Sequence, residues 1–105
     1  MSRRRYAPIF AALGDETRLA IIAVLASGEA RSITELTAGT AVTRQAVTKH
    51  LHVLESARLV RSRRDGRLTL FELDPAPMRE AGEYVDVVSR HWDAALARLK
   101  SFVEE

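Results

Sequence analysis

The chain has 105 residues, 47% hydrophobic and 29% charged, with a formal net charge of +2 and no cysteine. That composition predicts one folded domain and excludes disulfides, thiolate metal sites and thiol redox sensing. No apolar run reaches the roughly 18 residues of a membrane span. Arg3-Arg4-Arg5 followed by Ile9 to Leu13 is too short for a signal peptide and meets Gly14-Asp15-Glu16 where a cleavage site would stand, so a cytoplasmic location is expected.

In chain order, Tyr6 to Leu13 reads as a short helix carrying Ile9, Phe10 and Leu13 on one side. Gly14 ends it, and Asp15 is an N-cap for a second helix that should bury Leu19, Ile21, Ile22 and Leu25. Ser27-Gly28 stops that helix. A third, short helix around Leu36 begins at Ser32, which makes a capping box with Glu35, or at Thr34; the pattern fits both. After Gly39-Thr40 and the turn Ala41-Val42, Thr43 caps a fourth helix running to about Ser56. Two compact helices joined by a tight turn form a helix-turn-helix. Arg58 stands where glycine is expected at a left-handed C′ position, so either it tolerates that conformation or the helix ends differently. Leu59–Arg64 and Leu68–Leu73 read as strands around Asp65-Gly66, a favoured pair for a type I′ hairpin. Asp74 to Pro77 reads as a turn, with helix from Met78 to about Val103. The expected fold is therefore mainly α with a small β-hairpin: a winged helix-turn-helix in the order α-α-α-α-β-β-α.

At 100° per residue, Val47, Leu51 and Leu54 share the core face of the fourth helix. The opposite face holds Gln45, Lys49 and His52, with Arg44 and Thr48 on its shoulder. Gln can bridge adenine N6/N7 and Arg can bridge guanine O6/N7. The first turns of a recognition helix reach the groove floor, which assigns Arg44, Gln45 and Thr48 to bases and Lys49 and His52 to phosphates. His50 lies nearer the core and is expected to pack and hydrogen-bond beside the hairpin. The hairpin tip crowds Arg63, Arg64 and Arg67 around a turn that needs none of them to fold, which suits phosphate contact. Charge follows the same division. Residues 43–67 carry a net +5, and residues 75–105 a net −2.

In the last helix, Val85, Val88, Trp92, Ala95, Leu99 and Phe102 repeat at 3-4-3-4-3 spacing, a seam that pairs helices. With Ile9, Phe10 and Leu13 they form the expected dimer interface. The whole chain, 1–105, is then one domain in which 1–14 and 76–105 supply the dimerisation helices. Residues 11–18, the Val47-Thr48-Lys49-His50-Leu51 run through Leu59-Val60, and the segments Gly66-Arg67 and Phe71 to Asp74 resemble the ArsR/SmtB bacterial repressors. The resemblance covers nearly the whole chain. It implies a dimeric winged helix on operator DNA with Arg44, Gln45, Thr48 and Lys49 facing the groove. Metal-sensing members use cysteines or Asp/His/Glu sets, whereas here the last helix offers only His91 with Asp86 and Asp93. No metal site and no cofactor are expected. No nucleophile–base set or phosphate loop points to an enzyme. The expected partners are double-stranded DNA and a second copy of the chain, without a membrane. The other reading, a winged helix used only for protein contacts, needs neither the outward Arg44/Gln45/Thr48 set nor an arginine-tipped hairpin.

Overall fold

The computed structural model describes residues 3–104; residues 1, 2 and 105, the outermost ends of the two expected dimerisation segments, lie outside them. Local capping signals start most of the helices. Helix α1 (Arg3–Leu13) is followed by α2 (Glu16–Leu25), where the Asp15 side chain accepts from the Arg18 N–H. Helix α3 (Ile33–Ala38) starts at Ser32, not Thr34, because Ser32 and Glu35 close both bonds of the capping box. Helix α4 (Arg44–Ser56) starts at Thr43, whose Oγ1 accepts from the Ala46 N–H at 3.1 Å. Val47, Leu51 and Leu54 of α4 are completely buried, as their spacing requires.

Four expectations about the helices are corrected. Helix α1 starts three residues before Tyr6 because tertiary contacts hold its first turn: Arg5 pairs with Glu80 at 2.6 Å and Tyr6 stacks on Tyr84 at 4.9 Å. Ile9 is 6% exposed and belongs to the core of the single chain, so it has little surface left for a partner. Leu19 is 52% exposed, because Ile21, Ile22 and Leu25 set the buried side of α2 and Leu19 falls more than 100° from its centre. The Pro-rich segment is the first turn of α5 (Pro75–Glu104), not a separate turn. Its donors are fully accounted for: Asp74 N–H bonds Leu59 O, Ala76 N–H bonds the Asp74 side chain, and Pro75 and Pro77 have none to satisfy.

Strands β2 (Val60–Asp65) and β3 (Leu68–Leu73) pair antiparallel with Asp65 opposite Leu68, which leaves Gly66-Arg67 as the two-residue loop. Gly66 has φ of 63° and Arg67 does not have positive φ, the pattern of a type II′ turn and not type I′. A further strand, β1 (Arg31–Ser32), was not foreseen; it pairs with Phe71 and Leu70 and makes the sheet three-stranded, in the order β1-β3-β2. Two residues are too few to show an alternation. Arg58 adopts the left-handed conformation, with φ of 63°. It completes a Schellman motif in which Leu59 N–H bonds Leu54 O and Arg58 N–H bonds Glu55 O, with Leu54 and Leu59 both fully buried.

The molecule measures 67 × 27 × 23 Å, because the 30-residue α5 runs on beyond the packed domain. Ala81 is buried, Met78 packs on the core and Tyr84 stacks on α1, but most of the helix's apolar stripe beyond them is open. Trp92 is 64% exposed, Leu99 59% and Phe102 76%.

Candidate nucleic-acid interface

The helix-turn-helix is built so that α4 is buried on one side and open on the other. Leu36 anchors α3 in the core, and only three residues separate the Gly39 and Thr43 caps, so α4 is held close against α3. Capping uses the Thr43 hydroxyl and so sets where the first turn begins. Arg44 lies back over α3, its Nη1 donating to Thr34 Oγ1 at 3.1 Å, which fixes the guanidinium at the entrance to the motif. Gln45 and Lys49 are exposed and make no side-chain hydrogen bond or ion pair among the described residues. Thr48, half-exposed, donates its hydroxyl to Arg44 O at 3.0 Å, which occupies its one donor and leaves the oxygen free to accept. His52 shares this side of α4 but lies two turns further on. There, with Val53 and Ser56, it lines a cleft of about 590 Å³ against Pro8 and Ala11 of α1. The face thus divides into an open N-terminal half and a C-terminal half flanked by α1.

The hairpin sorts its arginines by strand alternation. Ser62 shares the face of Phe71 and donates to Glu55 Oε2 at 3.0 Å, tying the wing to α4. Arg64, two residues on, projects from that same face. Arg61 and Arg63 point the other way, where Glu72 lies at 3.1 Å and 3.6 Å respectively. Arg64 and Arg67 are exposed and without ion pairs among the described residues. Arg63 therefore has a carboxylate competing for it, a feature that only the register between the two strands makes visible.

The polar partners of His50 lie on α2 and its cap, not on the wing. Its Nδ1 lies 3.2 Å from Arg18 Nη1 and 3.7 Å from Asp15 Oδ2, at the junction of α1 and α2. The backbone N–H of Arg18, with the Arg18 guanidinium beside it, holds the Asp15 carboxyl below the usual carboxylate range. Glu35 is lowered likewise, first by the Ser32 backbone N–H and then by the Ser32 hydroxyl. Sequence reasoning missed the Arg44–Thr34, Ser62–Glu55 and Arg18–His50 contacts, since each joins different elements. Among the described residues no three His, Asp or Glu side chains gather as metal ligands, and no helix is long and apolar enough to cross a membrane.

A helix-turn-helix domain family model matches residues 13–63, the stretch from the end of α1 into the first strand of the wing. The chain is 37% identical over 93 residues to the HTH-type transcriptional regulator Rv2034 of Mycobacterium tuberculosis, covering 89% of this chain and 83% of that protein. Among solved structures it resembles an ArsR-like transcriptional regulator from Rhodococcus sp. RHA1, with 32% identity, a TM-score of 0.79, and coverage of 94% of this chain and 92% of the other. The homodimeric winged helix-turn-helix DNA-binding domain Mb0332 of Mycobacterium bovis, solved by solution NMR, shares the fold at 23% identity and a TM-score of 0.67. That likeness covers 87% of this chain and 90% of the other.

Proposed function

This chain belongs to the ArsR-family winged helix-turn-helix transcriptional regulators, and from that premise we propose that it is a homodimeric repressor or autorepressor of a pseudo-palindromic operator. Membership makes it a DNA-binding regulator of transcription and not an enzyme. The observation that carries the finer reading is the open N-terminal half of α4 together with Arg64 and Arg67 of the wing, exposed and without ion pairs among the described residues. In this reading Arg44, Gln45 and Thr48 address base edges in the major groove, while Lys49 and His52 meet phosphates. Thr43 holds the first turn at the groove, and Arg64 and Arg67, with a smaller share from Arg63, grip the backbone.

The apolar stripe of α5 supports the dimer. Val85, Val88, Trp92, Ala95, Leu99 and Phe102, with Phe10 and the half-buried Leu13 of α1, cover a partner's equivalent surface about a two-fold axis. The homodimeric assembly of the Mycobacterium bovis domain accords with this. Two recognition helices spaced about one DNA turn, roughly 34 Å, then read two half-sites. The whole chain acts as one cytoplasmic domain with its terminal helices as the dimerisation unit.

A salt titration on operator and random duplexes tests the assignment. Gln45→Ala and Thr48→Ala each lose about 1–3 kcal/mol on operator and little on random DNA. Arg64→Ala and Arg67→Ala weaken both duplexes by similar factors and lower the salt slope by about one per lost phosphate contact. Identical profiles for Gln45→Ala and Arg64→Ala would overturn the division of labour. No change in any variant would leave the surface to protein partners.

A further inference from the structure

Arg18 sits where three helices meet. Its Nε donates to Ala12 O at 2.5 Å and its Nη2 to Ala11 O at 3.4 Å, so the side chain closes the carbonyl end of α1. Its Nη1 reaches His50 Nδ1 on α4 at 3.2 Å. Arginine has donors only, so Nδ1 accepts in this contact. Asp15 caps α2 through the Arg18 backbone N–H and faces the same imidazole from 3.7 Å. One side chain therefore links the last turn of α1, the first turn of α2 and the middle of α4.

Apolar burial holds α4 against the domain through Val47, Leu51 and Leu54, but such contacts are non-directional and tolerate a small roll or slide. A hydrogen bond from a rigid guanidinium to a ring nitrogen is directional, and recognition geometry is sensitive at the level of about 0.5 Å or 10–20°. His50 stands two residues beyond Thr48 and one beyond Lys49, so a rotation there is transmitted to the groove-facing set. We propose that Arg18, with Asp15 and His50, is a positioning device for the recognition helix: it orients α4 for reading bases without touching DNA. The inference rests on the reading of α4 as the DNA-reading helix.

The test uses the full chain and an operator recovered from the genomic fragments that the wild type retains. His50→Leu removes the acceptor, and His50→Asn restores one where Nδ1 stood. Arg18→Met removes the donors while keeping an unbranched stem. Expected is a fall of at least tenfold in operator affinity for Arg18→Met and His50→Leu, with random-duplex affinity and salt slope near wild type. His50→Asn recovers most of that preference, and the Arg18→Met/His50→Leu double variant loses no more than the worse single one. Circular dichroism and the melting temperature identify the folded fraction; should Arg18→Met not fold, the contrast between His50→Leu and His50→Asn decides. Folded variants with an unchanged operator-to-random ratio would make the cluster a stabilising contact only and overturn the proposal. A wild type that retains no DNA overturns the DNA reading itself, a different result.

Discussion

Trp92 offers the sharpest test of the dimer, since it is the only tryptophan in the chain and is 64% exposed on the open stripe of α5. A tryptophan side chain presents up to about 250 Å², so on the order of 150 Å² remains to be covered. At ~25 cal/mol per Å² its burial against a partner stabilises by nearly 4 kcal/mol, of which alanine retains a minor part. Two-fold symmetry counts the loss twice, so Trp92→Ala costs up to about 6 kcal/mol of association if burial is complete, and half that if it is partial. Each 1.4 kcal/mol is a factor of ten, so the dissociation constant rises by about 10²- to 10⁴-fold. Sedimentation equilibrium across nanomolar to high-micromolar concentrations reads this directly. Wild-type tryptophan emission supplies a second measure, shifting to the red on dilution as the indole becomes exposed. A Trp92→Ala chain with an unchanged association constant would refute the reasoning, as would a wild-type indole that emits as solvent-exposed at every concentration.

Three further outcomes concern the protomer. Ser32→Ala removes the hydroxyl that accepts from the Glu35 N–H at the start of α3, leaves the Ser32 N–H bond to Glu35 Oε1 in place, and should cost about 1 kcal/mol in chemical denaturation; an unchanged midpoint would remove that cap from the energetics. Arg58→Gly relieves the left-handed strain at the Schellman turn, ~1–3 kcal/mol, against a glycine entropy cost of about 0.5–1 kcal/mol. A net gain in melting temperature is expected, and a loss would show that the Arg58 side chain contributes contacts of its own. Asp15 is lowered in the folded state, so its contribution is present above its unfolded value of about 4 and is lost as pH falls through the lower folded value. Urea midpoints should therefore drop on acidification below about pH 4, and less steeply in Asp15→Asn; parallel acid limbs would show that Asp15 is not coupled to folding.

Most helix starts are legible in the sequence because their causes are local. Asp15 and Thr43 each satisfy an N–H three residues away, so residue type and spacing are sufficient, while Ser32 with Glu35 is legible as one of two candidates and the closed capping box decides against Thr34. The core face of α4 is legible for the same reason, since Val47, Leu51 and Leu54 declare it by a period the helix itself imposes. The features that tertiary structure alone decides all join distant segments. Strand β1 exists because Arg31 finds Phe71 forty residues away, and two residues carry no pattern of their own. Leu19 is exposed because the neighbouring helices meet Ile21 and Leu25, a choice that hydrophobicity cannot express. The pairing of Asp65 with Leu68, one residue off the expected loop, follows from the β2–β3 register, which seats Val60 and Phe71 in the core; the same register hands Arg63 to Glu72 and leaves Arg64 open. His50 turns to Arg18 and not to the wing because α1 and α2 converge on that side of α4. Residue chemistry supplied the candidates for the DNA-facing surface; the packing of three helices and one hairpin decided which of them are free to act.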